Sequence, residues 1–171
     1  MTNARADSTL EGADDRAAFT RAVHELGPDI RRLCAVIALD PDIAADAEQS
    51  AWDKAWRKRH LLRDQDRFRD WMVRIAANEA KQALRSLRRR RTVPLELAPD
   101  VASPGDPYAG VELRELLGRL AAPDRELLAY RYVLELSSAE IGDLLGLSAE
   151  GVRTRLKRLR DRLQREHTTD A

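Results

Sequence analysis

Cysteine is nearly absent. Cys34 is the single one in 171 residues, so no internal disulfide framework exists. Aromatic residues make up only 5% of the chain and β-branched runs are scarce, which argues against a sheet-built fold. No apolar stretch approaches the roughly 20 residues that span a bilayer, so membrane insertion is not expected. The N-terminus lacks the basic-then-apolar pattern of an export signal, and the chain is expected to be cytoplasmic. The three histidines (His24, His60, His167) stand apart without metal-ligand spacing. There is no glycine-rich phosphate cradle and no nucleophile with a plausible base. These absences point away from an enzyme, and no metal or cofactor is expected.

What the chain does have is charge, at 35% of residues, and the net value of +1 conceals its segregation. Residues 1–50 carry ten acids against five arginines, while residues 54–91 carry fourteen lysines and arginines. A second basic block, residues 153–165, holds seven against one acid. Two basic blocks on one chain suit two contacts with a polyanion, the alternative being ordinary solvated helix faces. Arginine outnumbers lysine 26 to 4.

Residues 1–14 are small and polar and read as a disordered tail. Helices are expected at about 15–26 and 29–39, separated by Gly27 and Pro28. The second carries the stripe Ile30, Leu33, Cys34 and Ile37, which makes Cys34 an inert core residue unless it has a redox or metal role. A third helix, about 42–59, has a small apolar face (Ala44, Ala47, Ala51, Ala55) with Trp52 and Trp56 one turn apart. After an irregular stretch, 60–66, a long helix runs from Phe68 into the arginines of 88–91. Residues 92–110, with four prolines and two glycines, read as a flexible linker. Helices at about 111–120, 124–134, 138–145 and 149–165 follow. The expected fold is all-α, with one module over 15–91 and another over 111–167 on a tether.

The most informative stretch is SSAEIGDLLGLSAEGVRTRLKRLRDRL, residues 137–163. Ser138 is placed to cap one helix and Ser148 the next, with Glu140 and Glu150 near the helix starts. Gly146 permits the positive φ of a tight turn. Gly142, Gly146 and Val152 keep helix-turn-helix spacing. Val152, Leu156, Leu159 and Leu163 form one stripe, leaving Arg153, Thr154, Lys157, Arg158 and Arg160 to point elsewhere. Such a helix suits the major groove, where arginine donates two hydrogen bonds to guanine. An ordinary basic amphipathic helix is the bland alternative.

This stretch, preceded by LAAPDRELLAYRYV, resembles region 4 of bacterial sigma factors. In the first module, DIAADAEQSAWDKAWRKR is similar to the region 2 pattern D-x-x-Q-x-x-F-x-x-x-W/Y, and FRDWMVRIAANEAKQALRSLRRRR to its F-x-x-W-L-x-R-I-A-x-N helix. The resemblance spans about 18–165 and, lacking intervening domains, points to the extracytoplasmic-function group. Trp52 stands where that pattern has phenylalanine, Ser50 where glutamate is common, and Gly142 where alanine is usual.

The resemblance implies a promoter-reading subunit of RNA polymerase. Asp46, Gln49, Trp52, Asp53 and Trp56 would dock on a coiled coil of the polymerase's largest subunit, and the flap region of core polymerase would be a second contact of the chain. Trp71, Arg74, Asn78, Lys81 and Arg85 would bind the melted −10 element, with loop 60–66 as a pocket for a flipped base. Arg153, Thr154, Lys157 and Arg158 would read the −35 element. Promoter DNA, core polymerase and an anti-sigma factor are the partners it allows. Single-strand capture combines rings for stacking with cations for phosphates, and Trp71 beside Arg74 fits that. Trp71, Trp52 and Trp56 fit core packing equally, and Arg88–Arg91 fit a solvated helix end as well as phosphate contact.

Overall fold

The structure, a computed structural model, describes residues 4–62, 64–90 and 107–169. Seven helices account for most of them: α1 (Ala4–Ala38), α2 (Pro41–Lys58), α3 (Phe68–Arg90), α4 (Pro107–Gly118), α5 (Ala122–Tyr132), α6 (Ser138–Leu145) and α7 (Ala149–Thr169). Short 3-10 turns at Arg59–Leu61 and Gln65–Arg67 join α2 to α3. Among the described residues there is no strand, and the all-α expectation holds. Of the expected linker, residues 92–106 lie outside the described residues, and 107–110 open α4.

The N-terminal half departs from expectation in two ways. Residues 4–14, read as a disordered tail, form the opening turns of α1. The break expected at Gly27 and Pro28 is absent, because α1 runs through Pro28. An internal proline costs a helix about 3 kcal/mol. Burial of the following turns offsets that cost: Ile30, Leu33, Cys34 and Ile37 are all fully buried. The helix ends at Leu39, in the left-handed region at φ 59°. Asp40 then caps α2, its Oδ1 accepting from the Ile43 N–H at 3.0 Å.

Ala44, Ala47, Ala51 and Ala55 form the buried face of α2. Small side chains here bring α2 close to α1 and to the face of α3 that buries Met72, Val73, Ala76, Ala77 and Ala80. Cys34 lies inside this three-helix core, where burial, with a smaller contribution from Glu48, pushes its thiol up to about 12. A thiol so placed is a core residue with little thiolate to offer. Alkylation of Cys34 in the native chain is expected to run at least about tenfold slower than after unfolding in urea. Equal rates in the two states would show that this core is open.

The second module is built on α5, α6 and α7. Ser137, one residue earlier than Ser138, is the cap of α6. Its Oγ accepts from the Glu140 N–H at 3.3 Å while the Glu140 carboxylate accepts from the Ser137 N–H at 2.7 Å. This reciprocal box needs its acid at the third helical position, and only a cap at Ser137 puts Glu140 there. These bonds hold the Glu140 carboxyl below its usual range. Gly146 turns the chain at φ 69°, and Ser148 caps α7 by accepting from the Gly151 N–H at 3.0 Å. A Cβ on Gly142 would lie 2.5 Å from the Leu147 carbonyl oxygen. The glycine that costs α6 about 1 kcal/mol in propensity is therefore what lets the turn approach so closely.

The two modules do not hang apart. α5 packs along α1, and buried residues from both modules form one continuous apolar cluster, with Leu127, Tyr130 and Ile141 joining Ile37 and Ala77. The two modules expected on a tether are present, and they pack on one another. A proline-rich connection imposes no geometry by itself, but the faces it connects bury one another.

Candidate nucleic-acid and partner interfaces

On α7, Val152, Leu156 and Leu159 are buried, which turns Arg153, Thr154, Lys157 and Arg158 out to solvent. All four expected residues are thus available on a helix that follows a tight glycine turn. Arg153 pairs with Glu150 one turn earlier, at 3.0 Å from Nε and with a second bond from Nη2. The other face of α7 is tied to its own module by Arg155, which binds Asp124 at 3.1 Å. A concavity of about 350 Å³ opens beside the basic face, lined by Arg131, Tyr132, Arg153, Lys157 and Arg160. Tyr132 is 58% exposed there, an aromatic edge among cations that the sequence reading passed over.

On α3, Arg74, Asn78, Lys81 and Arg85 recur at helical spacing opposite the buried face, and Trp71 begins the same row. Trp71 is half-buried and tilts against Phe68 at 5.9 Å, which places its ring in the packing of the helix start. Asn78 and Arg85 are exposed. Arg74 and Lys81 are engaged. Arg74 donates to the Asp143 carbonyl, and Lys81 Nζ meets a Glu126 carboxylate oxygen at 2.7 Å. The C-terminal module thus covers part of the row expected to take the −10 strand. Loop 60–66 contributes His60 and Leu62 to a cavity of about 700 Å³ that Phe19, Arg59 and Phe68 also line.

On α2, Asp46, Gln49 and Asp53 line up on the outward side, exposed. Trp52 and Trp56 turn partly inward, Phe19 standing edge-on to them at 5.8 and 5.1 Å. Nε1 of Trp52 is buried without an acceptor among the described residues, so that side chain serves packing. Trp56 carries the Arg59 guanidinium 3.9 Å above its ring.

Sequence reasoning missed Arg125 and Glu126. Both sit in α5 and both are buried, at 2% and 4% exposure. The available signal was two opposite charges opening a helix whose next residues, Leu127 to Tyr130, are apolar or aromatic.

Comparison with known proteins finds two family models on the chain. The Sigma-70 region 2 model matches residues 22–90, and the Sigma-70 region 4 model matches residues 110–163. The chain is 32% identical over 152 residues to the ECF RNA polymerase sigma factor SigG of Mycobacterium tuberculosis, covering 71% of this chain and 41% of that protein. It is 29% identical to the RNA polymerase sigma factor CarQ of Myxococcus xanthus, covering 90% of each. The curated relatives matched at 32% identity are longer, and the chain spans only 36% to 41% of their length. The fold is that of the sigma factor RpoE of Bartonella quintana, solved with the anti-sigma factor NepR. The TM-score is 0.72 at 20% identity, over 90% of this chain and 99% of that one. Two sigma-70 regions matched in order, on two helical modules with no domain between them, show that the chain belongs to the sigma-70 family and to its extracytoplasmic-function group.

Proposed function

We propose that the chain is a promoter-specificity subunit that binds core RNA polymerase and directs initiation through −10 and −35 elements. The observation that carries this reading is α7, with its apolar stripe buried and Arg153, Thr154, Lys157 and Arg158 presented beyond a capped glycine turn. Residues 111–167 take the upstream element. Residues 15–91 supply Asp46, Gln49 and Asp53, with Trp52 and Trp56 behind them, for the polymerase coiled coil. They also supply Trp71, Arg74, Asn78, Lys81 and Arg85 for the melted strand, and segment 92–110 tethers the two. The role is one of binding, without chemistry of its own, and it belongs where the polymerase is, in the cytoplasm. Among the described residues no helix is long and apolar enough to cross a membrane. An anti-sigma factor is a further partner of this reading, since the RpoE relative was solved with one.

Run-off transcription tests it. Core polymerase with the chain is expected to initiate at a defined set of genomic fragments on which core alone shows no selectivity. Saturating chain that leaves core polymerase as unselective as before would overturn the reading.

A further inference from the structure

Asp15, Ala18, Phe19 and Ala22 recur at helical spacing, so one side of α1 meets the turn that joins α2 to α3. The two alanines on that side leave room that larger side chains would have filled. Here lies the cavity of about 700 Å³, closed on its other sides by His60 and Leu62 of the turn and by Phe68 at the start of α3. Sites for small organic molecules measure about 300–1,000 Å³ and combine apolar walls with a few placed polar groups.

This cavity has both. Phe19 and Phe68 stand edge to face at 6.2 Å and, with Leu62 and the alanines, supply apolar wall against which a flat ring packs well. The rim is charged. Among the described lining residues, the guanidinium groups of Arg21 and Arg59 face the single carboxylate of Asp15. One positive charge is left over, which draws a monoanion.

Arg59 is already oriented for one. Its guanidinium lies 3.9 Å above the Trp56 ring, and Nη1 donates to the Trp56 carbonyl at 2.9 Å. A planar fork held in this way loses little freedom on meeting a carboxylate. Its Nε reaches Asp15 Oδ2 at 3.4 Å, longer than the about 2.7–2.9 Å of a charge-assisted bond. The two side chains are 35% and 60% exposed, and such a pair contributes little to stability. A carboxylate of the chain thus marks the place for a ligand's carboxylate without holding it firmly.

We propose that this cavity is a binding site for a small aromatic carboxylate, with its ring against Phe19 and Phe68 and its charge on Arg59 in place of Asp15. The site lies outside the rows of α2, α3 and α7 assigned above, and it does not depend on the promoter reading.

Calorimetry on the full chain tests this with three probes: naphthoate, its neutral analogue naphthamide, and thymidine monophosphate. Naphthoate is expected to bind once per chain and about tenfold more tightly than naphthamide, a factor within reach of one hydrogen bond between charged groups. Asp15→Asn removes the internal competitor and is expected to tighten naphthoate about two- to fivefold while leaving naphthamide unchanged. Arg59→Met keeps an unbranched stem above Trp56 without the charge, and should bring naphthoate down to the level of naphthamide. Ala22→Phe fills the cavity and is expected to abolish binding of both. Glu25→Gln, an exposed acid of α1 that does not line the cavity, should change nothing. Asp15→Asn alters an exposed side chain and keeps the test decisive should a larger change unfold the chain. Naphthoate that fails to bind, or that folded Ala22→Phe binds equally well, would overturn the site. Equal affinity for naphthoate and naphthamide, or a naphthoate affinity unchanged by Asp15→Asn, would overturn the role of Arg59. Tighter binding of thymidine monophosphate than of naphthoate would overturn the ligand class and give the cavity to a nucleotide of the melted strand.

Discussion

The free chain is expected to bind promoter duplex weakly and with little selectivity, and to lose roughly a thousandfold in affinity between 50 and 200 mM salt. That slope corresponds to about six phosphate contacts. The exposed cations Arg153, Lys157, Arg158 and Arg160 supply the core of such a set. Holoenzyme is expected to bind the same DNA tightly and selectively. The difference arises because the basic faces of α3 and α7 sit in one closed body, with Arg74 and Lys81 committed to α5 and α6. Neither module gains from being joined to the other until both are held at a promoter's spacing. Docking on polymerase would supply that separation and make the second contact nearly intramolecular. Fluorescence anisotropy on promoter and scrambled duplexes across a salt series measures both forms. Nanomolar, promoter-selective binding by the free protein at physiological salt would favour a stand-alone helix-turn-helix regulator instead.

Arg153→Ala and Lys157→Ala are each expected to cut use of the upstream element 5- to 150-fold at limiting protein while leaving polymerase binding intact. The size follows from a lost base contact, about 1–3 kcal/mol. Neither side chain supports the fold: both are exposed, and the core of α7 is carried by Val152, Leu156 and Leu159. The Glu150 partner of Arg153 is itself exposed, so that pair adds little stability to lose. The comparison that decides is between a promoter and the same promoter with its −35 sequence scrambled. An equal drop on both would reduce these residues to general phosphate contacts.

Much of the candidate site was legible because it follows local rules. The period of α7 separates Val152, Leu156 and Leu159 from Arg153, Thr154, Lys157 and Arg158 whatever surrounds the helix, and Gly146 marks its turn by conformational need alone. The alanine stripe of α2 likewise turned Asp46, Gln49 and Asp53 outward without reference to any neighbour. The cap of α6 slipped by one residue because Ser137 and Ser138 are chemically alike, and only the reciprocal bond with Glu140 separates them.

α1 shows where local rules stop. Gly27 and Pro28 form a strong local stop signal, yet the helix continues, because Ile30, Leu33, Cys34 and Ile37 are buried by helices far along the chain. The tryptophans were ambiguous for the same reason. A ring at helical spacing packs or stacks according to what faces it, and Phe19 and Phe68 decide that here. Sequence by itself determined the helical class, the two basic blocks, the glycine turn and the outward face of α7, since each depends on residues within a few turns of one another. Tertiary structure alone decided that the modules are docked, with Arg125 on the Ile37 carbonyl and Glu126 on Lys81. Those partners lie 88 and 45 residues apart, beyond the reach of any periodicity, and only burial makes a charged pair there seek its partner.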